Sequence, residues 1–275
     1  MIPFDFDYYR PDTLSEAYDC FMHIKNSEKK PLYYSGGTEI ISMAKVSSIN
    51  FDAVIDLKAI PEYNELYKKD SRLVLGGGLT LTQIVKSKTF EALAQAVNRI
   101  ADHTMQEKIT LAGNLAGGIK YKEAALALML CECGAKIMTK NGPTTAPFSQ
   151  IFDGELNLNV GEFLISIDVP ESETNLPFYH KKKTKMTKID YPLTTILAVK
   201  NEGKIKAAIT GYADKPLVLP EDRLNNKDLN GENKIKRIVE HMSNKAVTEL
   251  SGTSAYKNFV LGNLLEEAFE NLDKL

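Results

Sequence analysis

The chain has 275 residues and only three cysteines, and its 34 Lys and Arg against 36 Asp and Glu give a formal net charge of −2. This balance argues against a general nucleic-acid-binding protein, the cysteines are too few for a disulfide framework, and no apolar run reaches the length of a membrane-spanning helix, about 18 residues. Because the N-terminus also lacks the pattern of a signal peptide, we expect a cytoplasmic protein that is long enough for about two domains.

The first 170 residues alternate between strand-like and helix-like segments. Thr13 and Glu16 have the spacing of a capping box, and Thr80 and Gln83 are predicted to cap another short helix. Apolar periodicity predicts strands at residues 31–34, 53–57, 72–75, 135–139 and 163–169, and helices at residues 14–22, 38–45, 90–100 and 121–130.

The composition changes after Pro170, where a polar link begins. Beyond it, we predict two strands, at residues 177–182 and 204–212. A helical region is predicted from about residue 233 to residue 275. We therefore predict two domains, residues 1–170 and residues 171–275.

A first glycine segment, residues 35–40, follows a predicted strand and opens a predicted helix. Glycine lets backbone N–H groups approach an anion, and a helix N-terminus adds partial positive charge and free donors. Ser35 and Thr38 can add hydroxyl donors beside Gly36 and Gly37. The segment reads either as a phosphate-binding turn or as an ordinary strand-to-helix turn, and alone it does not decide between them.

A second glycine segment, residues 110–118, offers the same two readings. It lacks the G-x-G-x-x-G pattern of dinucleotide-binding folds, and Ile119 and Lys120 stand where a P-loop needs Lys followed by Ser or Thr. The two segments lie about 70 residues apart, and each follows a plausible strand. Together they favour a diphosphate held between two lobes.

The two segments and a later strand together resemble one known family. Residues 33–40 resemble the A-G-G-[TH]-[DES] segment of the FAD-binding medium subunits of molybdenum hydroxylases, such as xanthine dehydrogenase and carbon monoxide dehydrogenase. Residues 110–114 resemble the T-[IV]-G-G-N segment of the same subunits, and residues 162–170 resemble their E-[IL]-[IL]-x-x-I-x-[IVL]-P strand. The motifs occur in the family's order, and the resemblance spans nearly the whole chain. It implies an α+β fold in which a two-lobed FAD-binding domain, of the PCMH and vanillyl-alcohol-oxidase type, precedes a small antiparallel sheet with helices.

The resemblance also implies a set of FAD-binding residues, with no catalytic residue and no metal ligand. The predicted ligands of the diphosphate are Tyr33, Tyr34, Ser35, Gly36, Gly37, Thr38, Glu39 and Ile40 in the first segment and Thr110, Gly113 and Asn114 in the second. The residues predicted to lie near the rest of the cofactor are Ile100, Glu123, Phe163, Leu164, Lys182, Lys185 and Tyr191. Among them, Tyr191 would shield one face of the isoalloxazine ring.

Several positions depart from the family's pattern. Gln106 and Glu107 stand in place of Arg-Asn, and Ala112 replaces the first glycine of Gly-Gly-Asn. Glu123 replaces an Asp, and Ile100 replaces a Phe found in some relatives. These departures bear on single contacts and leave the two glycine segments in place.

A basic run contains five lysines between residues 181 and 188. It is either a solvated face or a positive field over the flavin, which would stabilise the reduced ring and attract an acidic partner. Cys131 and Cys133 are too few to bind an iron–sulfur cluster and are interpreted as structural thiols. His103 and His180 are assigned no catalytic role.

The resemblance implies an electron-transfer role. FAD would accept electrons from [2Fe-2S] clusters on a small partner subunit and pass them to an acceptor such as NAD, while a large partner subunit would carry molybdopterin and the substrate site. No nucleic-acid or membrane partner is expected. Two alternatives stay open: a stand-alone FAD oxidoreductase of the same fold, and an assembly subunit that binds no FAD.

Overall fold

Three β-sheets and eleven α-helices make up the computed structural model, which describes residues 1–274. The strands are β1 (Asp7–Tyr9), β2 (Pro31–Tyr34), β3 (Ala53–Asp56), β4 (Leu66–Lys69), β5 (Arg72–Gly76), β6 (Gly134–Thr139), β7 (Gly142–Pro147), β8 (Phe163–Pro170), β9 (Phe178–Thr184), β10 (Pro192–Asn201), β11 (Lys204–Thr210) and β12 (Leu217–Val218). The helices are α1 (Leu14–Asn26), α2 (Thr38–Lys45), α3 (Leu81–Ser87), α4 (Glu91–Val97), α5 (His103–Gln106), α6 (Leu111–Ala116), α7 (Glu123–Met129), α8 (Phe148–Ile151), α9 (Glu221–Leu224), α10 (Gly231–Met242) and α11 (Ser254–Leu272). No helix in the described range is long and apolar enough to cross a membrane.

The first lobe is built on a three-stranded parallel sheet in the order β1-β3-β2. Its central strand, β3, is buried along its whole length, as expected for a parallel strand covered on both faces. Alternate residues of β3 enter two cores: Ile55 joins the main core, while Val54 packs with Ala44 and Phe51 in a smaller one. The carboxyl ends of β2 and β3 meet at one edge, where the first glycine segment begins.

The second lobe is built on a five-stranded antiparallel sheet in the order β4-β5-β8-β6-β7. Strand β8 lies at its centre and is buried over most of its length. Helix α4 packs against α3 and α7, and α6 packs against α7 and β8. The main core fills this lobe and continues into the first lobe through Leu14, Ala17 and Ile55, so the two lobes pack directly on each other.

The chain after β8 forms a four-stranded antiparallel sheet in the order β12-β11-β10-β9, with α9, α10 and α11 packed against it. Alternate residues of β10 enter different cores. Ile196 and Ala198 pack with the C-terminal helices, whereas Leu197 and Val199 join the main core. The sheet is therefore sandwiched between its own helices and the second lobe, which brings β9 against α4 and β10 against α7.

Many of these elements match the sequence predictions. The α+β class is confirmed, and β2 and α2 have the predicted bounds. Thr80 and Gln83 form a complete capping box at the start of α3. Thr13 caps α1 by accepting the N–H of Glu16, but the Glu16 carboxylate accepts the N–H of Asp12 instead of that of Thr13.

The predicted C-terminal helical region consists of two helices separated by a short segment that is not α-helical. Helix α10 ends at Met242 and α11 begins at Ser254. Between them, Glu249 and Gly252 form an isolated bridge, and the side chain of Thr253 caps α11. A polar Ser-Gly-Thr run therefore interrupts the apolar periodicity.

Candidate functional site

The first glycine segment forms the turn from β2 into α2. Gly37 has a φ of +67°, in the left-handed region, and a Cβ there would overlap the ring of Tyr34. A Cβ at Gly36 would overlap the carbonyl oxygen of Lys108. Gly37 is therefore required by the backbone conformation, and Gly36 by the close approach of another segment.

The two glycine segments, which are far apart in the sequence, meet in the structure. Glu39 lies between Thr38 and Ile40 in the first turn of α2, and its carboxylate accepts a hydrogen bond from Gly118 N at 2.6 Å. The first segment therefore contacts Lys108, just before the second segment, through Gly36, and the end of the second segment through Glu39 and Gly118. Such a juxtaposition suits a diphosphate held between two lobes.

The second glycine segment, predicted to be a turn, instead contains the short helix α6. Thr110 Oγ1 accepts a hydrogen bond from Gly113 N at 3.3 Å, so Gly113 and Asn114 lie inside the helix. Ala112 N–H donates to Gly77 O at 2.9 Å and ties the helix to the glycine turn after β5. A Cβ at Gly77 would press on the Ala112 methyl group, so the methyl at this position is accommodated by a glycine opposite it.

Ser35 has a buried hydroxyl that finds no hydrogen-bond partner among residues 1–274. It lies beside the hydroxyl of Tyr63, whose pKa is raised to about 12 by burial, while the Ser35 hydroxyl acts to lower that pKa. Buried hydroxyls normally have a partner. A buried donor in a glycine turn suits a phosphate oxygen, so the residues present fit the FAD that the motifs imply.

Lys58 braces the first segment. Its Nζ donates to Ser35 O at 3.0 Å and lies 4.3 Å from the centre of the Tyr34 ring. It also pairs with Asp56 at 2.8 Å, and Asp56 accepts the hydroxyl of Tyr8 at 2.5 Å. Burial acts to raise the pKa of Asp56, but the hydrogen bonds from Lys58 and Tyr8 outweigh it and hold that pKa below its usual range. This network fixes the turn at the carboxyl edge of the parallel sheet.

Glu123 and Lys182 form a buried ion pair beside the second segment. Lys182 Nζ lies 3.0 Å from Glu123 Oε2 and donates to Arg99 O at 2.8 Å. Thr195 Oγ1 donates to Glu123 Oε1 at 3.3 Å. Burial raises the pKa of Glu123 to about 6, against the opposing influence of Lys182. The pair links α7 of the second lobe to β9 of the C-terminal sheet.

Four further candidates lie inside the two lobes. Tyr33 packs on Phe163 with ring centres 4.7 Å apart, and its hydroxyl donates to Gly161 O at 2.6 Å. The start of β8 therefore lies against the end of β2. Leu164 is buried next to Phe163, and Ile100 is half-buried against the main core.

Tyr191 and Lys185 lie farther out, at the connection between β9 and β10. Tyr191 is 55% exposed and stacks on Tyr121 with ring centres 4.9 Å apart. Lys185 is exposed and donates to Leu250 O at 2.7 Å. Of the two lysines predicted near the flavin, the structure brings Lys182 to Glu123 and leaves Lys185 apart.

Several residues of this region escaped the sequence predictions. The run of three glycines that includes Gly77 was a usable signal, since glycine marks close backbone approach. Tyr121, Lys122 and Thr195 have no such signal, because an isolated aromatic, lysine or threonine belongs to no motif. Only the fold brings them beside the predicted ligands.

A family model described as the FAD binding domain in molybdopterin dehydrogenase matches residues 4–172 of the chain. This range contains both glycine segments and the whole of β8. It also contains 15 of the 18 predicted cofactor-binding residues, all but Lys182, Lys185 and Tyr191.

Similar curated proteins are named as subunits of dehydrogenases. The carbon monoxide dehydrogenase medium chain of Hydrogenophaga pseudoflava is 23% identical over 284 residues, which cover 98% of this chain and 97% of the relative. The nicotinate dehydrogenase FAD-subunit of Eubacterium barkeri is 24% identical over 193 residues, which cover 66% of this chain and 64% of the relative.

Solved structures share the fold over the whole chain. Carbon monoxide dehydrogenase from Hydrogenophaga pseudoflava, in a form that lacks the Mo-pyranopterin moiety, matches with a TM-score of 0.87 at 21% identity and 98% coverage of both chains. Quinoline 2-oxidoreductase from Pseudomonas putida 86 matches with a TM-score of 0.86 at 16% identity, covering 100% of this chain and 99% of the other. The predicted architecture is therefore confirmed.

Proposed function

Because the chain belongs to the family of FAD-binding domains in molybdopterin dehydrogenases, we propose that it is the electron-transferring medium subunit of a xanthine dehydrogenase-like molybdenum hydroxylase. The chain takes electrons from the [2Fe-2S] clusters of a small partner subunit and passes them through FAD to an acceptor such as NAD. A large partner subunit carries molybdopterin and binds the substrate. The names of the relatives support this role, since one is a medium chain and another an FAD-subunit.

The observation that carries the proposal is the buried Ser35 hydroxyl at the point where the two glycine segments meet. Residues 35–40 and 110–118 would hold the diphosphate through backbone N–H and hydroxyl groups. The start of β8 would line the cofactor, and Tyr191 would cover one face of the flavin ring. When bound, FAD accepts electrons one at a time and releases them in pairs.

Lys182 and Glu123 have a defined task under this proposal. The ammonium of Lys182 is held by Glu123 and by Arg99 O, and it provides a positive charge where the flavin end of the cofactor is expected. A positive charge there stabilises the negative charge of a reduced flavin, while Glu123 holds the ammonium in place and offsets part of its charge. Because the pair is buried, water and salt screen this field only weakly.

We also propose that residues 1–170 bind the cofactor and that residues 171–275 cover its flavin end and face the partner subunits. Two lysines of the basic run already face a carboxylate of the chain itself. Lys181 and Lys183 both lie 3.8 Å from the carboxylate of Glu267 on α11. Attraction of an acidic partner therefore falls chiefly to the lysines at the connection between β9 and β10, such as Lys185.

The electron-transfer role is tested with the purified chain after incubation with FAD, removal of the excess and addition of NADH without oxygen. We expect flavin absorption near about 450 nm that bleaches with NADH. Bands that persist with NADH but bleach when the assembled complex is reduced through its partner subunits would retain electron transfer and replace NAD as the acceptor.

Two results would overturn the proposed function. A folded chain that takes up no FAD, either alone or in complex with its partners, would favour an assembly subunit. Turnover of a small alcohol or a sugar nucleotide by the isolated flavoprotein would favour a stand-alone oxidoreductase.

A further inference from the structure

Lys122 is a buried lysine in a strained backbone position, four residues after the second glycine segment. It is only 3% exposed, and its φ of +34° lies in the left-handed region that residues other than glycine rarely adopt. Its Nζ donates to Gly117 O, and among residues 1–274 no carboxylate oxygen lies within 4 Å of it. A buried charge without a directly paired opposite charge is unfavourable, and backbone strain of this kind is concentrated at ligand sites.

The surroundings of Lys122 connect it to both predicted phosphate-binding segments. The turn that accepts its hydrogen bond continues into Gly118, whose N–H donates to Glu39 in the first turn of α2. On the other side, Asn114 Oδ1 accepts the N–H of Ala124, two residues beyond Lys122. The ammonium therefore lies where the two segments converge.

Charge balance indicates which ligand this ammonium suits. The two glycine segments contain no Lys or Arg, and Glu39 adds a negative charge between them. The cation that braces the first segment, Lys58, is already paired with Asp56. A diphosphate bound there would carry two more negative charges and would need a nearby counter-charge in a region with little solvent screening.

We propose that Lys122 is a cofactor-binding residue whose ammonium pairs with the diphosphate of FAD, an inference that rests on the FAD binding proposed above. Burial lowers the pKa of Lys122, and the negative charges of Glu39 and Glu155 partly oppose that shift, as a diphosphate would. The competing explanation is structural: the lysine caps the last carbonyl groups of α6 through Gly117 O.

The test compares FAD and ADP binding to the full chain and to two variants, with the melting temperature of each apo-protein. Lys122→Gln removes the charge and keeps a hydrogen-bond donor. Lys122→Gly removes the charge and also relieves the strained backbone, so we expect it to fold even if the glutamine variant does not. We expect both variants to lose roughly 10- to 100-fold in affinity for FAD and by a similar factor for ADP, which has the diphosphate without the flavin.

Lys120 provides a matched control two residues away. It is 31% exposed and already pairs with Glu249 and Asp214, so its charge is satisfied within the chain. Lys120→Gln is expected to leave FAD and ADP affinity within about threefold of the unsubstituted chain, which corresponds to less than about 0.7 kcal/mol.

The outcomes separate this inference from the proposed function. Unchanged FAD and ADP affinity in the Lys122 variants, or a loss confined to FAD, would overturn the assignment to the diphosphate. A lower melting temperature with unchanged affinity would make the lysine a helix cap. If the unsubstituted chain binds no FAD, either alone or in complex with its partners, the proposed function fails and this inference fails with it.

Discussion

Gly37 has a constrained backbone conformation and lies in the segment proposed to bind the diphosphate of FAD. Its φ of +67° and the nearby ring of Tyr34 leave no room for a side chain. We expect Gly37→Val to abolish FAD binding and to leave most of the secondary structure intact, because the substitution displaces a turn and no core residue. Titration with FAD measures the first effect, and far-ultraviolet circular dichroism measures the second.

Gly203 offers a matched control for this substitution. Its φ is +73°, but nothing lies within 4 Å of a Cβ there, and it sits in the turn between β10 and β11. Gly203→Val has a similar backbone penalty, about 1–2 kcal/mol. We expect it to lower stability and to leave FAD affinity unchanged. Stoichiometric flavin in the Gly37 variant would contradict the assignment of the first glycine segment.

His180 makes stability depend on pH in a predictable direction. Burial lowers its pKa to about 4, and the positive charges of Arg99 and Lys182 act in the same direction. The folded chain therefore resists protonation of this ring, so the free energy of unfolding falls as the pH drops from about 6.5 to about 4. We expect His180→Asn to remove this contribution, which amounts to roughly 3 kcal/mol at the acid end. Urea unfolding of both proteins across this range measures it.

Glu123 titrates in an overlapping range with the opposite sign. Its pKa is raised to about 6, so protonation below that pH removes a burial penalty and stabilises the fold. Because both the unsubstituted chain and the His180 variant contain Glu123, the difference between them isolates the histidine. A stability difference between the two proteins that stays constant from pH 6.5 to pH 4 would show that His180 is protonated as readily in the folded chain as in the unfolded one.

Among the elements, α7 and β9 are joined by the buried pair of Glu123 and Lys182. Removing one partner leaves the other charge buried, which typically costs about 3–5 kcal/mol. We expect Lys182→Met to destabilise the fold by an amount in this range. Glu123→Gln should cost less, because burial already disfavours the charge of Glu123 and raises its pKa, and the double variant should be destabilised by clearly less than the sum. Urea unfolding of the four proteins gives the coupling energy.

An exposed pair serves as the comparison for this cycle. Lys86 and Glu107 lie 3.3 Å apart with side chains 69% and 46% exposed. Their coupling energy is expected to be near zero, since solvent screens exposed pairs. Purely additive effects at Glu123 and Lys182 would mean that the two charges do not depend on each other.

Elements with a local signal could be predicted from the sequence, whereas those shaped by tertiary burial could not. Helix α2 follows a glycine pair and has a helical pattern of its own, so its bounds were found. Strand β10 was missed because Ile196 and Ala198 face one core while Leu197 and Val199 face another. Burial on both faces removes the alternation of polar and apolar residues that marks a strand.

The site shows the same limit. The glycine segments could be proposed from the sequence because their residue types imply a backbone conformation and a ligand class. In contrast, Lys181, Lys182 and Lys183 look alike in the sequence. The register of β9 turns Lys182 toward Glu123 and its two neighbours toward Glu267 on α11, because successive strand residues point to opposite faces. That choice depends on how β9 packs and could not be read from composition.

At the scale of the whole molecule, three sheets converge on one region. The carboxyl edge of the parallel sheet contributes the first glycine segment, and the second lobe contributes α6 and the start of β8. The C-terminal sheet closes over α7 and brings Lys182 into the same region. We propose that this shared region binds one FAD.

The most direct measurement is an equilibrium titration of the folded apo-protein with FAD, followed by the change in flavin fluorescence, with ADP as a competitor. We predict saturable binding of one FAD per chain, displaced by ADP because both ligands contain the diphosphate that the glycine segments are proposed to hold. A chain that is folded by circular dichroism, yet shows no saturable FAD binding either alone or within its complex, would contradict the proposal that the chain binds FAD.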